Sequence, residues 1–203
     1  MRHINVAKTL ALPAAFLAAV LPLAASAHTG VDGGMHHGFA TGFLHPLTGA
    51  DHLAAMVAVG LWSALTARRG TDLLWAPLAF AGMLLVGALM GLAGIQLPAV
   101  EPMIAASLLV LGLLVVTRVH LPAGVAMAVV GVFAVFHGVA HGHELASEDG
   151  AALTLAGMVG ATVLLHVAGI ALGWSLRHAN AWLPRVAGAA VVALGATLLA
   201  QAV

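Results

Sequence analysis

Two short segments hold most of the chain's capacity for chemistry. The first reads His45-Pro46-Leu47-Thr48-Gly49-Ala50-Asp51-His52, and the second Phe136-His137-Gly138-Val139-Ala140-His141-Gly142-His143-Glu144. His45 and His52 stand seven residues apart, two turns of helix, so both imidazoles leave nearly the same face. Asp51 is offset from them by about 100 degrees. In the second segment His137, His141 and Glu144 follow an i, i+4, i+7 pattern and share one stripe, while His143 points elsewhere. Imidazoles at i and i+4 form a chelating pair. A carboxylate one turn further completes a nitrogen and oxygen set suited to a borderline divalent ion, and nickel, cobalt, copper and zinc all qualify. Two other readings fit the same residues: zinc-activated water with an acidic general base, and a hydrogen-bonded cluster at a helix end.

These groups are embedded in an apolar chain. Of 203 residues 62% are hydrophobic and 7% are charged, too little polar surface to cover a soluble globule of this size. The solvent must be lipid, where each ionisable group costs about 2–3.5 kcal/mol at mid-membrane unless it is paired or bound. Both clusters must therefore face protein, water or metal. With no cysteine in the chain, ligands are restricted to nitrogen, oxygen and thioether groups. Seven Lys plus Arg balance seven Asp plus Glu, so no nucleic-acid footprint is present.

The elements that position the clusters are helices, and the fold class is an all-α polytopic membrane protein. Arg2 and Lys8, the apolar run from Thr9 to Leu23 and Ala25-Ser26-Ala27 form a cleavable signal peptide over residues 1–27, which leaves one transmembrane domain over 28–203. Six transmembrane helices are expected near 38–66, 75–96, 101–118, 123–143, 151–176 and 182–202. Pro46 and Gly49 weaken the hydrogen-bond ladder of the first, marking a kink or freeing carbonyl ligands. The breaks after the first, third and fifth spans hold Arg68, Arg69, Arg118, Arg177 and Arg185; the other two hold Glu101, Glu144, Glu148 and Asp149. By the positive-inside rule both termini of the mature chain face the periplasm of a bacterial-type inner membrane. Trp62, Trp75, Trp174 and Trp182 lie toward the arginine-bearing ends, as interfacial indoles do.

Packing and depth tie the clusters together. Gly38 with Gly42, Gly87 with Gly91, Gly138 with Gly142 and Gly169 with Gly173 recur at four-residue spacing, which allows close helix approach in lipid. His45 and His137 each lie roughly 10 Å below the outer end of their spans at 1.5 Å per residue, so both clusters occupy the outer half. They open two three-helix halves of inverted orientation, an arrangement with its site at the repeat interface in many transporters. Among the other histidines, His28, His36 and His37 lie in a Gly-rich exterior segment, and a processed His28 would offer imidazole and amine together. His166 is expensive in mid-span and reads as a path residue, or one that supports the ligands. His120 and His178 adjoin arginines at the interface, and Met56 reads as packing.

The motif H-x5-D-H at His45, Asp51 and His52, followed by F-H-G-x-A-H-G-x-E from Phe136 to Glu144, resembles the HupE/UreJ family of nickel permeases linked to hydrogenase and urease maturation. The resemblance covers essentially the whole chain, with His143 at a variable position. It implies ATP-independent uptake of Ni²⁺, with Co²⁺ as the alternative ion, no prosthetic group, and partners limited to the ion, the bilayer and the maturation proteins. The absence of a phosphate-binding loop agrees with that. The site set is then His45, Asp51, His52, His137, His141 and Glu144, with His28, His36 and His166 as secondary candidates. A non-permease reading, an intramembrane metalloenzyme or a metal-holding assembly factor, uses the same residues. The arginine distribution gives a first prediction: alkaline phosphatase fused after Glu148 is active and fused after Arg69 is inactive, and the reverse pattern would overturn the orientation.

Overall fold

The computed structural model describes residues 38–147, 150–178 and 180–202. The expected signal peptide, His28, His36, His37, Glu148 and Asp149 lie outside the described residues. Within them every regular element is a helix: α1 (Phe39–Thr48), α2 (Ala50–Thr66), α3 (Asp72–Leu92), α4 (Val100–Thr117), α5 (Ala123–Leu145), α6 (Ala151–Leu176) and α7 (Trp182–Ala202). Five of them, α3 to α7, are long and apolar enough to cross a membrane, with mean hydropathy from 1.7 to 2.2.

The first expected span is two helices rather than one. Pro46 has no N–H to give to the carbonyl one turn back, and Gly49 then leaves helical geometry at ψ 116°. The break keeps its hydrogen bonds: the Gly49 N–H donates to the His45 carbonyl at 3.1 Å, and the Leu53 N–H donates to the Gly49 carbonyl at 2.9 Å. Thr48 Oγ1 donates to the His45 carbonyl at 3.0 Å. As a result Asp51 falls in the first turn of a new helix, where the helix dipole favours a carboxylate. The second expected span also moves, from 75–96 to Asp72–Leu92. Asp72 Oδ2 accepts the Arg68 and Arg69 amides at 3.0 and 2.9 Å and so starts α3 early. Gly94, at φ +78°, ends it early.

Helix α2 is the axis of the bundle. Its side chains are buried without interruption from Ala54 to Ala64. It packs against α1, α3, α4, α6 and α7. A helix apolar on all sides belongs inside a larger assembly, and the outer helices expose Leu78, Leu89, Val132, Leu153 and Val167 in its place. Trp62 goes inside with α2. It is 2% exposed and donates to the Val119 carbonyl at 3.0 Å, which corrects its expected interfacial position. Trp174 and Trp182 do remain at the surface beside Arg177 and Arg185, at 5.1 and 5.8 Å.

The dominant pairings are α3 with α5, α4 with α7, and α2 with α6. Glycine sets the first of them: a Cβ on Gly138 would fall on the Leu84 carbonyl oxygen, and one on Gly142 would fall on that of Ala88. Gly60 and Gly169 do the same for α2 and α6. Gly42 meets Thr154, whereas Gly38 faces nothing within 4 Å, so the first of the four expected pairs is half a contact. Gly138→Ala should destabilise the protein by about 1–3 kcal/mol, the usual cost of overpacking. Gly82→Ala, with nothing within 4 Å, should not. Thermal unfolding in detergent compares them, and equal stability would mean that the α3–α5 crossing is not tight.

Candidate metal centre

The break at Gly49 sets the direction in which the first cluster faces. Asp51 Oδ1 accepts both the backbone N–H of His52 at 2.9 Å and its ring Nδ1–H at 2.8 Å. A carboxylate oxygen can only accept, so Nδ1 carries the proton and Nε2 holds the lone pair. From α5, His141 is arranged alike: its Nδ1 lies 3.2 Å from Glu144 Oε2, one turn on, and its Nε2 faces inward. The two Nε2 atoms, from residues 89 apart in sequence, meet at 2.5 Å in the buried interior. Two lone pairs turned toward one point need a proton or a cation between them, and a carboxylate behind each imidazole is the support that metal-binding histidines use.

His45, on α1, completes the group. One ring nitrogen from each of His45, His52 and His141 falls within 4.8 Å of the others. The His45 ring is 4.9 Å from that of His141 and 5.8 Å from that of His52. His52 and His141 are fully buried, and Glu144 keeps 39% of its side chain exposed. The three-histidine face therefore opens toward the end of the bundle that carries Glu144.

His137 stands beside this group in a different role. Its ring is 5.1 Å from His52, but its Nε2 is 3.0 Å from Ser107 Oγ on α4. The Ser107 hydroxyl donates to the Ile104 carbonyl at 2.6 Å, so it accepts from His137 Nε2–H and leaves Nδ1 as the acceptor nitrogen of that ring. His143 leaves the stripe, as its spacing requires, and lies 2.9 Å from the Ile95 carbonyl. His166 is buried against Phe80, whose ring is 5.7 Å from His137 and 5.3 Å from His166. The sequence reading passed over Ser107 and Phe80. A hydroxyl in an apolar helix was a usable sign for the first; an aromatic in such a helix gave none for the second.

Apolar helices enclosing carboxylate-backed histidines define a multi-pass helical membrane protein with a polar centre in its interior. The chain belongs to the HupE/UreJ family, whose model, described as HupE / UreJ protein, matches residues 10–198. Protein HupE of Rhizobium leguminosarum bv. viciae is 43% identical over 202 residues, 98% of this chain and 99% of that relative. No solved structure matches the chain.

The supporting carboxylates make the centre testable. Titrating purified protein with Ni²⁺ should show Asp51→Asn binding about 10–100-fold more weakly than wild type, the usual cost of losing such support. Glu144→Gln should lose less, since its carboxylate is partly in water. Unchanged affinity for Asp51→Asn would make the Asp51–His52 pair structural.

Proposed function

We propose that the protein is a secondary permease that takes up Ni²⁺, with Co²⁺ as the alternative ion, across a bacterial inner membrane to supply hydrogenase or urease maturation. The observation that carries this reading is the convergence of His52 and His141 Nε2, each backed by a carboxylate, with His45 beside them. In this reading His45, His52 and His141 replace part of the ion's water shell, and His137 takes the ion next through Nδ1. Asp51 and Glu144 supply the negative charge that attracts a dication.

Helices α1 and α2 together make the sixth crossing, broken where the ion binds, with both mature termini periplasmic. In support, the carbonyl of Ala67, just past the end of α2, accepts Arg177 Nη2 at 2.8 Å, so this end lies with the arginines. Unwound backbone beside a buried site is a recurrent transporter device. Exchanging α2 with α5, α3 with α6, and α4 with α7 turns the α2–α6 pairing into α5–α3 and leaves α4–α7 unchanged, as two inverted three-helix halves require. The metalloenzyme reading is weaker, because both carboxylates hold histidine rings and neither stands clear as a general base.

Cells expressing the protein should accumulate ⁶³Ni above vector controls. Asp51→Asn, His52→Ala and His141→Ala should fall close to background, Glu144→Gln should be intermediate, and His143→Ala should transport nearly normally. Uptake should decline with acidification, because a protonated imidazole cannot coordinate metal. An inserted wild-type protein that accumulates no more than the vector removes the permease reading. Bound nickel without uptake would instead favour a metal-holding assembly factor.

A further inference from the structure

The bundle contains a second polar region at its opposite end. A cavity of about 50 Å³ lies among Trp62, Ser63 and Thr66 of α2, Asp72 and Ala76 of α3, and His120 of the α4–α5 connection. That is room for about three water-sized bodies, a cation with two water molecules, at roughly 15 Å³ for each.

Three of the lining residues carry groups of the kind that bind cations, an imidazole, a carboxylate and a hydroxyl. The His120 ring Nδ1 is 3.2 Å from the Thr66 carbonyl oxygen, which can only accept, so Nδ1 carries the proton and Nε2 the lone pair. Asp72 is fixed through Oδ2 by the Arg68 and Arg69 amides, which holds its charge at the cavity wall. Ser63 is 3% exposed, and its Oγ has no hydrogen-bond partner. That is unusual for a hydroxyl in an apolar helix, which normally bonds back to the carbonyl four residues earlier. Thr66 does this to Trp62, at 2.8 Å.

The two regions lie along one face of α2. On α2, His52, Met56, Val59 and Ser63 fall at i, i+4, i+7 and i+11, one stripe covering roughly 16 Å of helix. On α3, Ala76 and Asp72 lie one and two turns before Phe80, whose ring meets both His137 and His166.

We propose that Asp72, His120 and Ser63 form a second divalent-cation site, and that ions admitted at the histidine centre leave through it; the exit role rests on the permease reading. Arg68 and Arg69 flank this site, whereas the histidine centre is flanked by Asp51 and Glu144, so the inner site is the weaker of the two. A weak site at the arginine-bearing end favours release.

Equilibrium dialysis of the tag-free full chain in detergent against ⁶³Ni²⁺ tests this directly. Wild type should bind two ions, the second at least about tenfold more weakly, the scale set by loss of a single supporting interaction. His52→Ala with His141→Ala should remove only the tighter one. Asp72→Asn with His120→Gln should remove only the weaker one, because asparagine still accepts the two amides and glutamine still offers a donor to Thr66. Ser63→Ala, which deletes a single hydroxyl, should weaken the second ion several-fold. One tight ion in wild type, or a second ion indifferent to both the Asp72/His120 change and Ser63→Ala, overturns the inner site and leaves the histidine centre standing. Loss of the tight ion as well would remove the permease reading with it.

Discussion

An imidazole lone pair inside an apolar helix bundle is costly unless something is placed to meet it, and here two of them, on His52 and His141, meet at a single point. Much of the surrounding architecture can be traced to that requirement. Each ring must be held in one tautomer, which Asp51 and Glu144 do from neighbouring turns. His52 must begin a helix rather than sit within one, so that its carboxylate neighbour lies in a favourable first turn, and the break at Gly49 supplies that start. A Cβ at Gly49 would lie 3.2 Å from Asp51 Oδ1 and 3.3 Å from His52 Nδ1, so the break also leaves the pair the space it occupies.

The second helix of the pair has two tasks at once. On α5 each buried histidine is followed directly by a glycine, His137 by Gly138 and His141 by Gly142, and successive residues of a helix are turned by about 100 degrees. One face therefore looks toward α2 while the adjacent face lies against the α3 backbone with no side chain between. Bulk at the glycines would push α5 away from α3 and carry both histidines with it. Van der Waals contact and polar satisfaction are thus coupled in one short segment, where lipid offers no hydrophobic force to draw the helices together.

The ends of the bundle differ in charge, and so does the interior behind them. Carboxylates stand at the end that exposes Glu144, and arginines that bind backbone carbonyls of neighbouring segments, Arg118 to Ala181 and Arg177 to Ala67, stand at the other. Between them the Phe80 ring packs against both His137 and His166.

Lipid as solvent, the approximate helix extents, the sidedness of the arginines and the stripe of His137, His141 and Glu144 were all legible in the sequence. They depend on composition and on periodicities that act within one or two turns. The family was legible too, since its motifs are local. What the sequence could not decide was which apolar face meets which, because helices of nearly the same composition are sorted by the fit of glycines against distant carbonyls. That fit set His52 against His141, turned His137 to Ser107, drew Trp62 into the interior, brought His166 against Phe80, and enclosed Ser63 with Asp72 and His120. Each of these contacts joins residues many turns apart, and only the packed bundle brings them within reach.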